Sequence, residues 1–234
     1  MFASMSHIDK LNHHRFRQRV LVVLAIIGLS LLCVTLLTAG ANQAKAAPAA
    51  AMLSAEDEAT LTEVATYLQG VENMQGNFLQ IGPDGSIAEG RFFLRRPGRL
   101  RFEYNPPSDL LVVADGIWVG IKEGSSPAQR YPLGSTPLSL LLDESIDLRR
   151  DTRIVSVDRQ PGVLRLTLAD KSDKAPGDIT LVFDQPRLQL RQWVVTDAQG
   201  LQTTVALRNI QSGIRANNDL FVMRDEQRPF GNKN

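Results

Sequence analysis

Apolar and polar residues alternate one for one along most of the chain after residue 70, and two short stretches depart from that period. The first departure follows Ser54. Leu61, Val64, Ala65 and Leu68 recur at the spacing of one helix face, and Gly70 is a natural stop. Asp57 stands three residues after Ser54, and Glu56 and Asp57 fall in the first turn, where acids complement the positive end of a helix. These positions predict one amphipathic helix over residues 55–69. Beyond Gly70 the period drops to two. Phe78 lies in a first strand, Pro83-Asp84-Gly85 turns the chain, and residues 87–94 run back. After a turn at Pro97-Gly98, Leu100, Phe102 and Tyr104 share one face of a strand, and Arg99, Arg101 and Glu103 the other. Such alternation marks a sheet with one apolar and one wet face. Pro106-Pro107 breaks this strand, and residues 110–114 and 117–122 flank Asp115-Gly116, a two-residue hairpin signal.

The second departure is at Thr136-Pro137, which reads as the N-cap and first residue of a short helix over residues 138–142. Leu138, Leu140, Leu141 and Leu142 crowd it. A helix this short cannot hold itself and must lie on an apolar surface. The remainder predicts strands at residues 152–158, 163–169, 188–196 and 201–209, another that carries Ile179, Leu181 and Phe183, and a last one at 220–223. Leu164, Leu166 and Leu168 share a face, as do Ile179, Leu181 and Phe183. Leu188 and Leu190 fall out of parity with Trp193 and Val195, so a bulge is expected between 190 and 193. About eleven or twelve strands joined by short turns give a mainly β fold with few helices (α+β). They form one antiparallel sheet, strongly curved or closed into a barrel.

Composition splits the chain in two. The first 46 residues hold all three histidines, the only cysteine (Cys33), five basic residues and one acid. Arg15, Arg17 and Arg19 precede an apolar run over residues 20–37, and small residues follow as far as Ala46. That order is a secretory signal, with cleavage expected after Ala46. The run is also nearly long enough to span a bilayer, so an uncleaved anchor is the competing reading. Ser30-Leu31-Leu32 before Cys33 lacks the small residue of a lipoprotein cleavage site. Residues 47–53 read as a linker, 54–225 as the domain and 226–234 as a tail.

Without its first 46 residues the chain carries 21 basic and 24 acidic side chains, and no His or Cys. It cannot build a Ser-His-Asp triad, a Cys nucleophile, a His or Cys metal site, or a disulfide. Its balance argues against bulk nucleic-acid binding. Phosphate-binding glycine loops and a G-x-S-x-G elbow are missing from the sequence. Asp143, Glu144 and Asp147 offer the carboxylates a glycosidase needs, but a solvated acidic edge is the preferred reading. Asp170, Asp173 and Asp178 lack calcium-loop spacing and read as a polar hairpin loop.

Two features remain. Arg91, Arg95, Arg96, Arg99 and Arg101 surround Pro97-Gly98. Arg91, Arg99 and Arg101 read as an outward basic face, whereas Arg96, at a strand end beside a proline turn, could reach across the sheet with its fork of donors. The second feature is the apolar face itself: Phe92, Leu94, Leu100, Phe102, Tyr104, Leu164, Leu166, Leu168, Leu181 and Phe183. Two modest helices either fill its concave side or leave a cavity for an apolar guest, and composition leaves both open.

The motifs now line up with a known family. Phe78-Leu79-Gln80, Gly90, the run from Arg95 to Tyr104, Pro107, the run from Val112 to Trp118, and Thr136-Pro137-Leu138 occur in the order and spacing of LolA, the periplasmic lipoprotein carriers. The chain resembles that family over about residues 57–225. The resemblance implies an unclosed β-barrel roofed by helices over an acyl-chain cavity lined by the ten residues above. Leu61, Val64 and Leu68 of the first helix, and Leu138, Leu141 and Leu142 of the short one, would form the lid, with Arg96 as its latch. It also implies a monomeric periplasmic carrier that is not an enzyme and needs no cofactor or metal. Its partners would be lipoprotein cargo, an inner-membrane ABC-type release complex and, where present, a LolB-like outer-membrane acceptor. The segment after Asp225 shows no obvious extra strand. A membrane-tethered lipid-binding sensor or scaffold of the same fold is the alternative.

Overall fold

In the computed structural model, the structure describes residues 53–172 and 175–223. The predicted signal, its 20–37 apolar run, nearly all of the linker and the tail lie outside these residues. Among the described residues no helix is long and apolar enough to cross a membrane.

Helix α1 (Ala55–Gly70) opens the described chain, as its spacing predicts. Ser54 and Asp57 form a reciprocal capping box, with the Asp57 amide donating to Ser54 Oγ at 3.1 Å and the Ser54 amide donating to Asp57 Oδ2 at 3.0 Å. Two orphan amides of the first turn are thereby satisfied. Arg159 pairs with the same Asp57 carboxylate at 2.7 Å. Its hydrogen bond, then those from Ser54, hold the Asp57 carboxyl below the usual carboxylate range. Because this carboxyl titrates lower in the folded chain than in the unfolded one, its contribution is complete above the ordinary carboxylate pKa. It disappears as the pH falls through the lowered value. Ser54→Ala is expected to cost about 1 kcal/mol and to lower Tm by about 2–4 °C in a calorimetric scan.

Eleven strands follow: β1 (Asn73–Ile81), β2 (Ile87–Arg95), β3 (Arg99–Tyr104), β4 (Leu110–Asp115), β5 (Trp118–Glu123), β6 (Gln129–Pro132), β7 (Thr152–Gln160), β8 (Val163–Asp170), β9 (Asp178–Asp184), β10 (Gln189–Thr196) and β11 (Gln202–Ser212). They make one antiparallel sheet in the order β6-β5-β4-β3-β2-β1-β11-β10-β9-β8-β7. β6 and β7 are its two free edges, so the curved sheet is an unclosed barrel. Within β1–β6 and within β7–β11 each strand pairs with its neighbour in sequence; β6 and β7 do not pair, and β1 joins β11 in the middle of the sheet.

The connection from β6 to β7 carries a 3-10 turn (Leu133–Ser135) and two one-turn helices, α2 (Ser139–Leu142) and α3 (Leu148–Asp151). Its Leu138, Leu141, Leu142, Ile146 and Leu148 are buried in the core with the concave face of the sheet, and so are Leu61, Val64 and Leu68 of α1. Burial alternates strictly along β3 and in β9, as the period-two pattern requires.

Three expectations are corrected. Residues 220–223 are not a strand. The last element among the described residues is a 3-10 turn (Asn218–Phe221), started by Asn217, whose Oδ1 accepts from the Asp219 amide. Thr136 does not cap α2 and Pro137 is not its first residue, because the helix begins at Ser139 with Leu138 as its N-cap, and the Thr136 hydroxyl donates back to the Leu133 carbonyl at 2.8 Å. α3 and β6 also arise where no element was predicted. The expected bulge is present, since the β9–β10 register shifts between Leu190 and Gln192.

Candidate functional site

The concave face of the sheet is a wall of large apolar side chains. Phe92 and Leu94 come from β2, Leu100, Phe102 and Tyr104 from β3, Leu164, Leu166 and Leu168 from β8, and Leu181 and Phe183 from β9. All ten are buried and belong to one contiguous core with the six lid residues named from the sequence. In this conformation the two covers therefore lie directly on the wall. Two residues outside the predicted set sit at its centre. Phe78 meets Phe102 edge-on at 4.7 Å and Tyr104 at 4.9 Å, and Trp193 meets Phe102 at 6.1 Å. The signal for Phe78 was its period-two relation to Gln80, which shares its face. Trp193 was masked by the parity slip of the bulge.

One end of the wall is polar. Tyr104 Oη donates to Gln80 Oε1 at 2.5 Å, and burial pushes the Tyr104 phenol far above its ordinary pKa. Gln80 Nε2, Trp193 Nε1 and Thr203 Oγ1 are buried with no hydrogen-bond partner in the structure.

The covers are fastened at their ends by main-chain carbonyls, and Arg96 is the common fastener. It follows β2 directly and precedes Pro97-Gly98. Its guanidinium donates to the Leu68 carbonyl near the end of α1, and to the carbonyls of Asp143 and Glu144 just past α2. All three carbonyls lie at helix ends, where a cation meets the negative end of the dipole, and the Leu68 carbonyl also accepts from the Val71 amide at 3.2 Å. Burial lowers the Arg96 pKa and the Asp143 carboxylate partly opposes that, but an arginine stays charged throughout. The turn itself adds a bond, from the Gly98 amide to the Leu142 carbonyl at 2.7 Å. Only glycine fits there. Gly98 has φ 71°, and a Cβ would come 2.5 Å from the Gly116 Cα.

α1 has further grips. Arg159 donates to Thr60 Oγ1 at 2.8 Å, Gln69 Nε2 to the Ile146 carbonyl at 3.1 Å, and Arg149 of α3 to the Glu58 carbonyl at 3.1 Å. Tyr67 Oη accepts from the Leu190 amide at 3.0 Å.

The other arginines of the cluster separate from Arg96. Arg91 pairs with Glu103 at 2.7 Å on the exposed face. Arg101 pairs with Glu103 and donates to the Leu220 carbonyl at 2.9 Å, so the C-terminal turn covers it. Arg95 is buried. It donates to the Ala216 carbonyl and Asn218 Oδ1, and its guanidinium lies 5.2 Å from the centre of the Phe221 ring. Sequence reasoning did not foresee this clasp of the C-terminal turn, because its partners are more than 120 residues away.

The acidic candidates have local roles. Asp143 accepts from the Glu144 amide at 2.7 Å, and Asp147 caps α3 by accepting from the amides of Arg149 and Arg150. Asp170 accepts from Ser172 and Ala175 within its loop, while Asp173 lies outside the described residues. Among the described residues, no three His, Cys, Asp or Glu side chains gather as a metal site requires.

The chain was also compared with known proteins. The protein is 25% identical over 166 residues to the outer-membrane lipoprotein carrier protein of Methylococcus capsulatus, spanning 67% of this chain and 79% of that one. It is 29% identical over 160 residues to the carrier of the same name from Halorhodospira halophila, spanning 62% and 72%. A LolA superfamily protein of known structure from Nitrosomonas europaea aligns over 70% of this chain and 97% of its own, at 9% identity and a TM-score of 0.43. The family model described as outer membrane lipoprotein carrier protein LolA matches residues 69–224, well over half of the sequence, and the chain therefore belongs to the LolA family.

Proposed function

We propose that this protein is a periplasmic carrier that takes the acyl chains of lipoproteins against its concave wall. It would collect them from an ABC-type release complex in the inner membrane and carry them to the outer membrane, to a LolB-like acceptor where one exists. In this reading the signal is cleaved after Ala46 and residues 54–225 form the working domain. The observation that carries the reading is the pairing of a large apolar wall with two covers that bury their leucines against it and are tied at their ends by hydrogen bonds from Arg96.

Magnitudes support it. Each methylene kept from water is worth about 0.8 kcal/mol, so a chain of about 16 carbons resists water by on the order of 12 kcal/mol. A lipoprotein anchor therefore does not cross an aqueous gap unaided. Lifting α2 exposes Leu138, Leu141 and Leu142 at roughly 1.5–3 kcal/mol each. One inserted chain outweighs that cost, so cargo and cover compete for the same wall and cargo wins when it is offered. Release then follows from an acceptor or membrane that binds the chains better.

The test is uptake of an environment-sensitive fluorescent fatty acid by the exported protein, with mass spectrometry of lipids extracted from it. The expected result is saturable uptake, weakened strongly by Leu166→Asp on the wall. Failure of any acyl probe or lipoprotein to bind would overturn the reading. N-terminal sequencing accompanies it, since a start at Ala47 separates a free carrier from a tethered module.

A further inference from the structure

The sheet comes apart at one place. β10 and β11 are paired from Gln192–Ala206 to Thr196–Gln202. Beyond that ladder β10 continues on β9 to Gln189, and β11 continues on β1 to Ser212. A bulge stands on each side of the fork. One is the slip between Leu190 and Gln192 on β10, and the other is an irregularity of the β1–β11 ladder at Asn77, near Asn209 with its φ of 51°. Bulges bend a strand and increase its twist, so one on each side splays the pair.

The fork holds a cleft of about 650 Å³, roofed by the end of α1. Tyr67, Val71 and Leu188 give it apolar surface, and Asn73, Arg187 and Gln189 give it polar surface. Among the described residues Asn73 Oδ1 is buried without a hydrogen-bond partner, and a buried acceptor left unpaired favours a donor that arrives there. Tyr67 separates the cleft from the wall. Its ring meets Phe183 of the wall edge-on at 5.7 Å, and its hydroxyl is held by the Leu190 amide.

We propose that this fork is a side port for the acylated N-terminus of a lipoprotein. The proposal rests on the carrier reading above and adds to it a site for the cargo's polar end. The acyl chains pass Tyr67 to reach the wall, while the glyceryl esters and first peptide amides stay in the cleft. There Asn73 Oδ1 accepts an amide N–H of the cargo. The chemistry of the cleft fits that linkage, which is apolar on one side and rich in amides on the other. Opening the port requires one ring to turn and one hydrogen bond to break. α2 still has to lift for the chains to be seated.

The experiment uses the exported protein with a photoreactive benzoylphenylalanine at Gln189, or for comparison at Ile117, which is exposed beside α2 in the turn after β4, at the same end of the sheet as the cleft but three strands from Asn73. The probes are a dye-labelled synthetic triacylated cysteinyl peptide and a plain fatty acid. We expect crosslinks to the lipopeptide at least about tenfold more frequent from Gln189 than from Ile117. Asn73→Ala should weaken lipopeptide binding about tenfold and leave the fatty acid unaffected. If the lipopeptide binds but crosslinks equally or better from Ile117, or if Asn73→Ala leaves its affinity unchanged, the port is wrong and the carrier reading stands. If neither probe binds the unmodified protein, both fall together.

Discussion

Arg96→Leu is expected to turn a carrier into a trap. The guanidinium satisfies three main-chain carbonyls, at Leu68, Asp143 and Glu144, and so ties both covers to the turn after β2. Leucine can donate to none of them. Hydrogen bonds from a charged group contribute about 1.5–3 kcal/mol each, so even with part of the side chain in water the closed state should lose roughly 3–4 kcal/mol. Empty and loaded forms compete for the same wall, so the loss appears as retention: cargo should bind on the order of a hundredfold more tightly. Arg96→Lys should fall between, since an ammonium is a point charge without the fork that reaches several carbonyls at once. Stopped-flow transfer of a dye-labelled lipopeptide to lipid vesicles measures it. Transfer from Arg96→Leu at the unmodified rate would remove the fastening role, whatever the lipopeptide's route inward.

Gly90→Val is expected to be the most damaging single change to the sheet. Gly90 pairs with Tyr104 across β2 and β3. A Cβ there would run into the Glu103 carbonyl oxygen and come 2.7 Å from the Phe78 ring. A carbonyl in the backbone of the neighbouring strand cannot swing aside as a side chain can. β2 would have to draw away from β3, and Phe78 would have to leave Phe102 and Tyr104. Overpacking of this kind costs about 1–3 kcal/mol when side chains can adjust, and with backbone in the way on the order of 3 kcal/mol or more. Against a domain stability of about 5–15 kcal/mol this is a large share. Denaturant unfolding reads it directly, with Gly134→Ala as control, because a Cβ at Gly134 meets nothing within 4 Å. Equal midpoints for the two variants would contradict the account of close approach at Gly90.

Much of this molecule is legible in its sequence for one reason: the sheet has a dry face and a wet face, and side chains alternate between them. Leu100, Phe102 and Tyr104 announce the wall, and the Ser54–Asp57 pair announces α1. The slip from Leu190 to Trp193 announces a bulge. Arg96 stands out as a charged fork at a strand end beside a proline turn, and the family resemblance supplies its reading as a latch. What escaped depends on distant pairing. β6 is four residues, three of them exposed, and it ends in proline, so it has no pattern to read. α3 exists because Asp147 caps it. The apolar run 220–223 looks like a strand until Arg95 and Arg101 are seen to grip the turn that contains Leu220 and Phe221. The fork between β10 and β11 is invisible for the same reason, since each strand has a normal ladder on its other side.

The sheet order carries one more consequence. β1 to β6 and β7 to β11 are two separate ribbons, each folded from successive hairpins and zipped together only where β1 meets β11. Residues 133–151 are the single covalent tether between them, and they also carry α2, one of the two covers of the wall. In the proposed carrier the cover that lifts is thus a strap slung between two free margins. It can rise and settle again without unzipping a rung on either side.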